Sequence, residues 1–262
     1  MALVTVDKPV PHVSLIALNR PERLNAMSFD TVMPLFDALA RVGADNDTWV
    51  VVLTGAGRGF CAGQDLSERK PVVNGEPRDL SAGLERNYKP LILSLRTLDL
   101  PVIGAVNGVA AGAGVSLALA CDIVIAAKSA SFILAFAKLG LVPDAGLTHF
   151  LPRLIGAARA RAVSMLGERI SAEQAAQWGM IWRCVEDADL AAETDKLAQH
   201  FAQAPTRGVA LTKQVIDASY DNGLGAQISL EAKLQAELGR THDYKEGVSA
   251  FLEKRVAKFT GK

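Results

Sequence analysis

The chain has 262 residues, with 28 Lys and Arg against 28 Asp and Glu, and half of its residues are apolar. That length holds one large domain, or one domain with a smaller appendage; the zero net charge argues against nucleic-acid binding by bulk electrostatics but leaves room for a local cationic patch around a phosphate-bearing ligand. Cys61, Cys121 and Cys184 are odd in number and widely spaced, without a CxxC pair or a nearby His at ligand spacing, so neither a disulfide framework nor a metal site is expected, and a reduced cytoplasmic setting fits. The first residues, MALVTVDKPVPH, lack the basic and apolar regions of a secretory signal, and no window is long and apolar enough for a membrane span.

In chain order, residues 13–19 read as a buried strand ended by the NRPER turn. Residues 28–42 have helical spacing, with Ser28 placed as N-cap and Pro34 as a conflict. Residues 49–54 are apolar throughout, as parallel strands covered on both faces tend to be. The polar stretch 67–79, with Pro71, Asn74, Gly75 and Pro77, predicts a loop or flap. Residues 81–97 are helical, 102–106 a strand, 112–120 a helix of small residues and 123–127 a strand. Helices follow over 145–167 and 171–179, the latter capped by Ser171 and stopped by a glycine, then the short extended IWRCVE. From residue 205 only helical signals remain, over 205–220, 226–239 and 244–254. Alternation followed by helices alone predicts an α/β core over 1–204 and a helical region over 205–262.

Two segments concentrate the chemistry: LTGAGRGFCAGQDL at 53–66 and VIGAVNGVAAGAGVSLALA at 102–120. Each is a β-branched run passing into a Gly/Ala-rich turn, and the second turn opens a helix, so backbone N–H groups are left exposed at a strand end. Taken singly, such glycines only close a tight turn. Two such turns side by side make an anion hole, because small residues let a ligand carbonyl approach the backbone and the helix start adds partial positive charge.

These segments resemble the two oxyanion-hole segments of the crotonase superfamily, the enoyl-CoA hydratases and isomerases. LNRPERLNAM, KLGLVPDAGLTHFLPRLIG and DYKEGVSAFLEKRVAKFTG also resemble that family in order and spacing, so the likeness spans nearly the whole chain. The resemblance implies a ββα spiral core whose C-terminal helices pack subunits into homotrimers or hexamers. The implied ligand is an acyl-CoA thioester, with no cofactor beyond the coenzyme A carried by the substrate. It places the oxyanion donors on the N–H groups of Gln64 and Ala113. Arg23 and Leu24 match contacts to coenzyme A, the Ala62 carbonyl matches an adenine contact, and Lys258 and Phe259 match contacts from an adjacent subunit. Asp65 and Leu66 close the first segment, Asp65 with the character of a structural cap.

An oxyanion hole stabilises an enolate, and the acid or base beside it sets the reaction. The paired glutamates of the hydratases correspond here to Ser116 and Phe136, neither of which is a carboxylate, and a phenyl ring excludes the water that hydration requires. Asp144, in LVPDAG, stands where typical hydratases carry glycine and matches the base of the dienoyl-CoA isomerases and of the ring-epoxide isomerases of aerobic phenylacetate breakdown. Its apolar neighbours Leu141, Val142 and Pro143 suit a carboxyl that accepts and returns a proton. An Asp before a helix also commonly caps it, and capping is compatible with catalysis. Leu147 replaces the second glycine of the PDxGGT-like segment and reshapes the acyl end of the pocket.

The expected activity is therefore acyl-CoA isomerisation through Asp144, with an enoyl-CoA hydratase or a non-catalytic acyl-CoA-binding homologue as the alternatives. Lys138, His149, Glu85 and Asp122 lie near the motifs without a spacing that lifts them above structural roles. GAGRGF has Phe60 at the third glycine position of a dinucleotide fingerprint, and the chain contains neither a GK[ST] phosphate loop nor a GxSxG elbow.

Overall fold

The computed structural model describes residues 2–68, 72–73, 76–77 and 79–261. Strand β1 (Val4–Asp7) pairs antiparallel with β2 (Val13–Leu18), a 3-10 turn follows at Pro21–Arg23, and helix α1 (Phe29–Ala44) leads to β3 (Val50–Gly55). Ser28 occupies the N-cap position as expected, but its hydroxyl pairs with the Thr31 hydroxyl at 3.0 Å rather than capping the backbone. Pro34 lies inside α1 without ending it.

Next come β4 (Gly59–Cys61), a 3-10 turn at Leu66–Glu68, and a small hairpin of β5 (Val72–Val73) and β6 (Glu76–Pro77). Residues 69–71, 74–75 and 78 of the loop expected over 67–79 lie outside the described residues. Helix α2 (Ser81–Gly83) continues through a π-helical turn at Leu84–Tyr88 into α3 (Lys89–Thr97), so the helix expected over 81–97 contains one widened turn.

Strands β7 (Val102–Val106) and β8 (Val109–Ala111) precede α4 (Ala113–Leu119), and β9 (Ile123–Ala127) and β10 (Ser131–Ile133) precede α5 (Leu147–Leu166). Helix α5 is kinked at Gly156, whose φ of 75° and ψ of 158° are non-helical, where the sequence pattern reads as one uninterrupted helix. Strand β11 (Arg169–Ser171), α6 (Ala172–Gln177), β12 (Arg183–Val185) and α7 (Leu190–Phe201) follow, then α8 (Thr206–Ala218), α9 (Leu224–Leu238) and α10 (His242–Glu253). The Ser171 cap is present: its hydroxyl accepts from the Gln174 N–H at 3.1 Å.

Two sheets form the core. One runs β1-β2-β3-β7-β9-β12, parallel except at the β1 edge; the other runs β11-β10-β8-β4, parallel except at the β11 edge. The chain therefore repeats strand in the first sheet, strand in the second, then helix: β3-β4 with α2 and α3, β7-β8-α4, and β9-β10-α5. This is the expected ββα spiral.

The side-chain alternation of β3 shows why its sequence is apolar throughout. Val50 and Val52 pack beneath α7 with Ala198 and Ala202, while Val51 and Leu53 enter the main core with Phe60, Val106 and Leu117. Buried charge ties α8 to this core: Lys213 meets Asp122 at 3.0 Å and donates to the Leu95 carbonyl at 2.8 Å, and Arg96 pairs with Asp217. Among the described residues no helix is long and apolar enough to cross a membrane.

Candidate active site

The glycine turns that meet leave the two neighbouring strands of the second sheet, one at Gly63 after β4 and the other at Gly112 between β8 and α4, and the spiral lays them against one another. A β-carbon added to Gly63 would lie 2.4 Å from the Ala111 carbonyl oxygen and 3.4 Å from the Ala113 nitrogen. One added to Gly114 would lie 2.1 Å from the Cys61 carbonyl oxygen. Only glycine permits that approach, and Gly63 at a φ of +83° also occupies the left-handed region. The glycines are therefore an interlocked pair and not isolated tight turns.

The backbone arrangement directs the two expected donors. Gln64 forms an isolated parallel bridge with Met27, in which Met27 N–H donates to Gly63 O at 2.7 Å and Asp65 N–H donates to Met27 O at 2.9 Å. A bridge of that type uses the flanking residues and leaves the N–H of Gln64 itself on the opposite edge. Ala113 is the first residue of α4, where an N–H has no intrahelical acceptor, and Gly112 before it adopts φ 51° and ψ −123°, a conformation reserved to glycine. Helix α4 is buried along its whole length, as its small side chains allow.

Buried and half-buried polar side chains hold the first turn, two of them, Asn25 and Asn107, without a motif to mark them in the sequence. Asn25, fully buried at a φ of 57°, donates to the carbonyls of Ala56 and Gly59 at 2.9 and 2.8 Å, and accepts from Arg20 N–H. Asn107 donates to Gly55 O and Gly57 O, both at 2.8 Å. Asp65 accepts from the Ser67 hydroxyl and N–H and pairs with Arg20 at 3.0 Å. The Ser67 hydrogen bonds, and then Arg20, hold its carboxyl below the usual carboxylate range. These contacts to Ser67 are those of a cap on the 3-10 turn at Leu66–Glu68.

Asp144 sits in a tight turn rather than at a helix cap. The N-cap of α5 is Gly146, without a side-chain cap bond, so the capping role is replaced by a turn in which Leu147 N–H donates to the Asp144 carbonyl at 3.0 Å. Both central residues have positive φ, 49° at Ala145 and 89° at Gly146, which marks a primed turn with a strained alanine. The Asp144 Oδ1 atom is buried. Ser116, one helical turn after Ala113 on α4, donates its hydroxyl to the Asp144 carbonyl at 3.2 Å.

Phe136 is 7% exposed, and its ring tip lies 3.7 Å from where a β-carbon of Gly112 would stand, so a phenyl ring lies against the start of α4. The Phe136 carbonyl accepts from Leu141 N–H at 3.0 Å, linking it to the segment that carries Asp144. Phe132 and Tyr88 are buried in the same core. Leu147 is fully buried and lines an apolar groove with Pro143, Leu141 and Leu151 beside the turn.

Of the expected coenzyme A contacts, Leu24 lies beside the first turn: its carbonyl accepts from Ala62 N–H at 2.9 Å, and it stands 3.3 Å from a β-carbon built on Gly59. Arg23 is exposed on the adjoining 3-10 turn, and Leu66 is 55% exposed. Lys258 and Phe259 are held by their own chain's last helix. Phe259 packs against Gly247, and Lys258 N–H donates to Glu246 at 2.7 Å while its side chain stays exposed.

The sequence profile of the enoyl-CoA hydratase/isomerase family matches residues 11–262. The chain belongs to this family. It is 52% identical to the 1,2-epoxyphenylacetyl-CoA isomerase of Escherichia coli K12 over 250 residues, 95% of each chain. It is also 46% identical, over the same share of each chain, to a "probable enoyl-CoA hydratase" of Rhodobacter capsulatus. The crystal structure of a "putative Enoyl-CoA hydratase/isomerase" from Mycobacterium abscessus superposes with a TM-score of 0.94 at 35% identity, covering 99% of this chain and 100% of that one. An enoyl-CoA hydratase from Bacillus anthracis gives a TM-score of 0.93 at 35% identity, with the same coverage. Family membership makes the chain an enzyme of the enoyl-CoA hydratase/isomerase class, whose members act on acyl-CoA thioesters.

Proposed function

We propose that this enzyme is an acyl-CoA isomerase in which Asp144 shuttles a proton along the acyl chain while the N–H groups of Gln64 and Ala113 hold the thioester enolate. The Asp144 carboxylate takes a proton from one carbon, and the electron pair of that C–H bond moves into the thioester carbonyl. The same carboxyl then returns the proton at a second carbon as the enolate collapses, so that a double bond shifts without net addition of water; with a ring epoxide, electrocyclic opening of the carbon–carbon bond bridged by oxygen gives the oxepin, whose double bond the same proton transfer then shifts. A donor pair of this kind lowers the barrier by several kcal/mol, and removing one donor raises it by about 3–4 kcal/mol.

The observation that carries this reading is the turn of Asp144 bonded to the helix that begins with Ala113, in a site where Ser116 and Phe136 stand in place of the hydratase acids. The 52% identity to an epoxyphenylacetyl-CoA isomerase supports the ring-epoxide substrate and a place in phenylacetate catabolism. The 46% identity to a relative described as a hydratase supports the second reading, hydration of an enoyl-CoA. Arg23, Leu24, Ala62 and, from a neighbouring subunit of a cytoplasmic homotrimer or hexamer, Lys258 and Phe259 would grip the coenzyme A moiety.

The experiment is Asp144→Asn. Isomerisation should fall to background while acyl-CoA binding, followed by calorimetry, stays within a few-fold of the parent. Undiminished turnover in this variant would refute the assignment.

A further inference from the structure

We infer that Ser116 is a positioning residue for the proton shuttle: its hydroxyl locks the Asp144 turn to the oxyanion helix, so that one rigid element sets the base-to-enolate distance. The inference rests on Asp144 being the base.

Three observations lead to it. A serine inside a helix ordinarily turns its hydroxyl back to the carbonyl four residues earlier, which here is Gly112. Ser116 is fully buried, yet its hydroxyl reaches off its own helix to the Asp144 carbonyl at 3.2 Å. That carbonyl already accepts from Leu147 N–H at 3.0 Å, so hydrogen-bond satisfaction alone does not call for a second donor. The turn it holds contains Ala145 at a φ of 49°, and a non-glycine residue persists in that region only where its surroundings over-determine it. Ser116 and Ala113 are three residues apart on α4, about 4.5 Å along the axis, so the anchor of the base and the enolate donor ride on the same helical turn.

The consequence is kinetic. With the anchor removed, the turn keeps its Leu147 bond but loses its tie to α4, and a shift of a fraction of an ångström at the carboxylate slows proton transfer without altering the coenzyme A contacts.

The test compares Ser116→Ala, which deletes the hydroxyl, with Ser116→Cys, which keeps the volume but offers only a weak donor. Both should lower kcat by about ten-fold or more, with KM within about two-fold of the parent and thermal midpoints within a few degrees. An unchanged kcat in Ser116→Ala overturns the inference. So does a Cys variant that runs at the parental rate, since packing would then be the role of the side chain, and so does a joint fall of kcat, affinity and thermal midpoint. Asp144→Asn is assayed alongside: if it stays active, the base assignment fails and the inference with it. If Asp144→Asn is dead while Ser116→Ala is not slowed, only the positioning role fails.

Discussion

Gly63→Ala is the sharpest perturbation of the interlocked turns. At a φ of +83° an alanine is held in the left-handed region, which costs about 1–2 kcal/mol. Its methyl group would stand 2.4 Å from the Ala111 carbonyl oxygen, backbone that cannot swing aside as a flexible side chain would, and such overpacking adds about 1–3 kcal/mol. The sum, about 2–5 kcal/mol, corresponds to a fall in thermal midpoint of about 5–20 °C for a chain of this size.

The same methyl would lie 3.4 Å from the Ala113 nitrogen, so relief of the clash pushes the Gln64 and Ala113 donors apart. Turnover should therefore fall further than stability requires, by about 100-fold or more at a temperature where the variant is fully folded. The assay is circular-dichroism melting followed by turnover well below the midpoint. A variant with a parental midpoint and parental kcat would refute the claim that the two turns interlock at Gly63.

Acidification provides a second test: the Ser67 and Arg20 contacts lower the Asp65 pKa, so this carboxylate stabilises the fold above the ordinary carboxylate range, and its contribution is lost as the pH falls through its lowered value. Asp65→Asn should be less stable than the parent at pH 7, with the gap in thermal midpoint closing below about pH 4, and a gap independent of pH would contradict the assignment. Phe136→Ala removes a ring that is 7% exposed and should destabilise by about 3–5 kcal/mol in denaturant titrations; a loss under about 1 kcal/mol would show that the ring is not packed as described. Burial pushes the Cys61 and Cys121 thiols up to about 12, while Cys184 is only partly buried. A maleimide at pH 7 should therefore label Cys184 alone in the native protein, and rapid labelling of Cys61 or Cys121 read by mass spectrometry would contradict this burial.

The parts of the site legible in the sequence were those with local signatures. The Gly/Ala-rich turns, the small-residue helix after them and an Asp in an apolar segment can each be read from a few adjacent residues. The second sheet was not legible, because Gly59–Cys61, Val109–Ala111, Ser131–Ile133 and Arg169–Ser171 are too short to show a period and take their conformation from neighbours across the sheet. Asn25 and Asn107 have no local signature for a related reason, since each acts on carbonyls 31 or more residues away in sequence. Helix α7 lies outside the elements predicted from the sequence although it buries Leu190, Thr194 and Ala198 along one stripe, and the kink at Gly156 falls at a glycine that the local pattern treats as tolerated within a helix. Asp144 shows the limit most clearly: its neighbours suggested a cap, whereas the positive φ of Ala145 moves the start of α5 to Leu147 and turns the cap into a separate loop.

The central claim is that the site moves a proton and does not add water. The direct measurement mixes the purified enzyme with a 3-enoyl-CoA and, separately, with a 2-enoyl-CoA, and follows the ultraviolet absorbance of the conjugated thioester. The account predicts that absorbance grows with the 3-enoyl substrate and stays constant with the 2-enoyl one. Loss of absorbance from the 2-enoyl substrate would establish hydration and contradict the roles given to Asp144, Ser116 and Phe136.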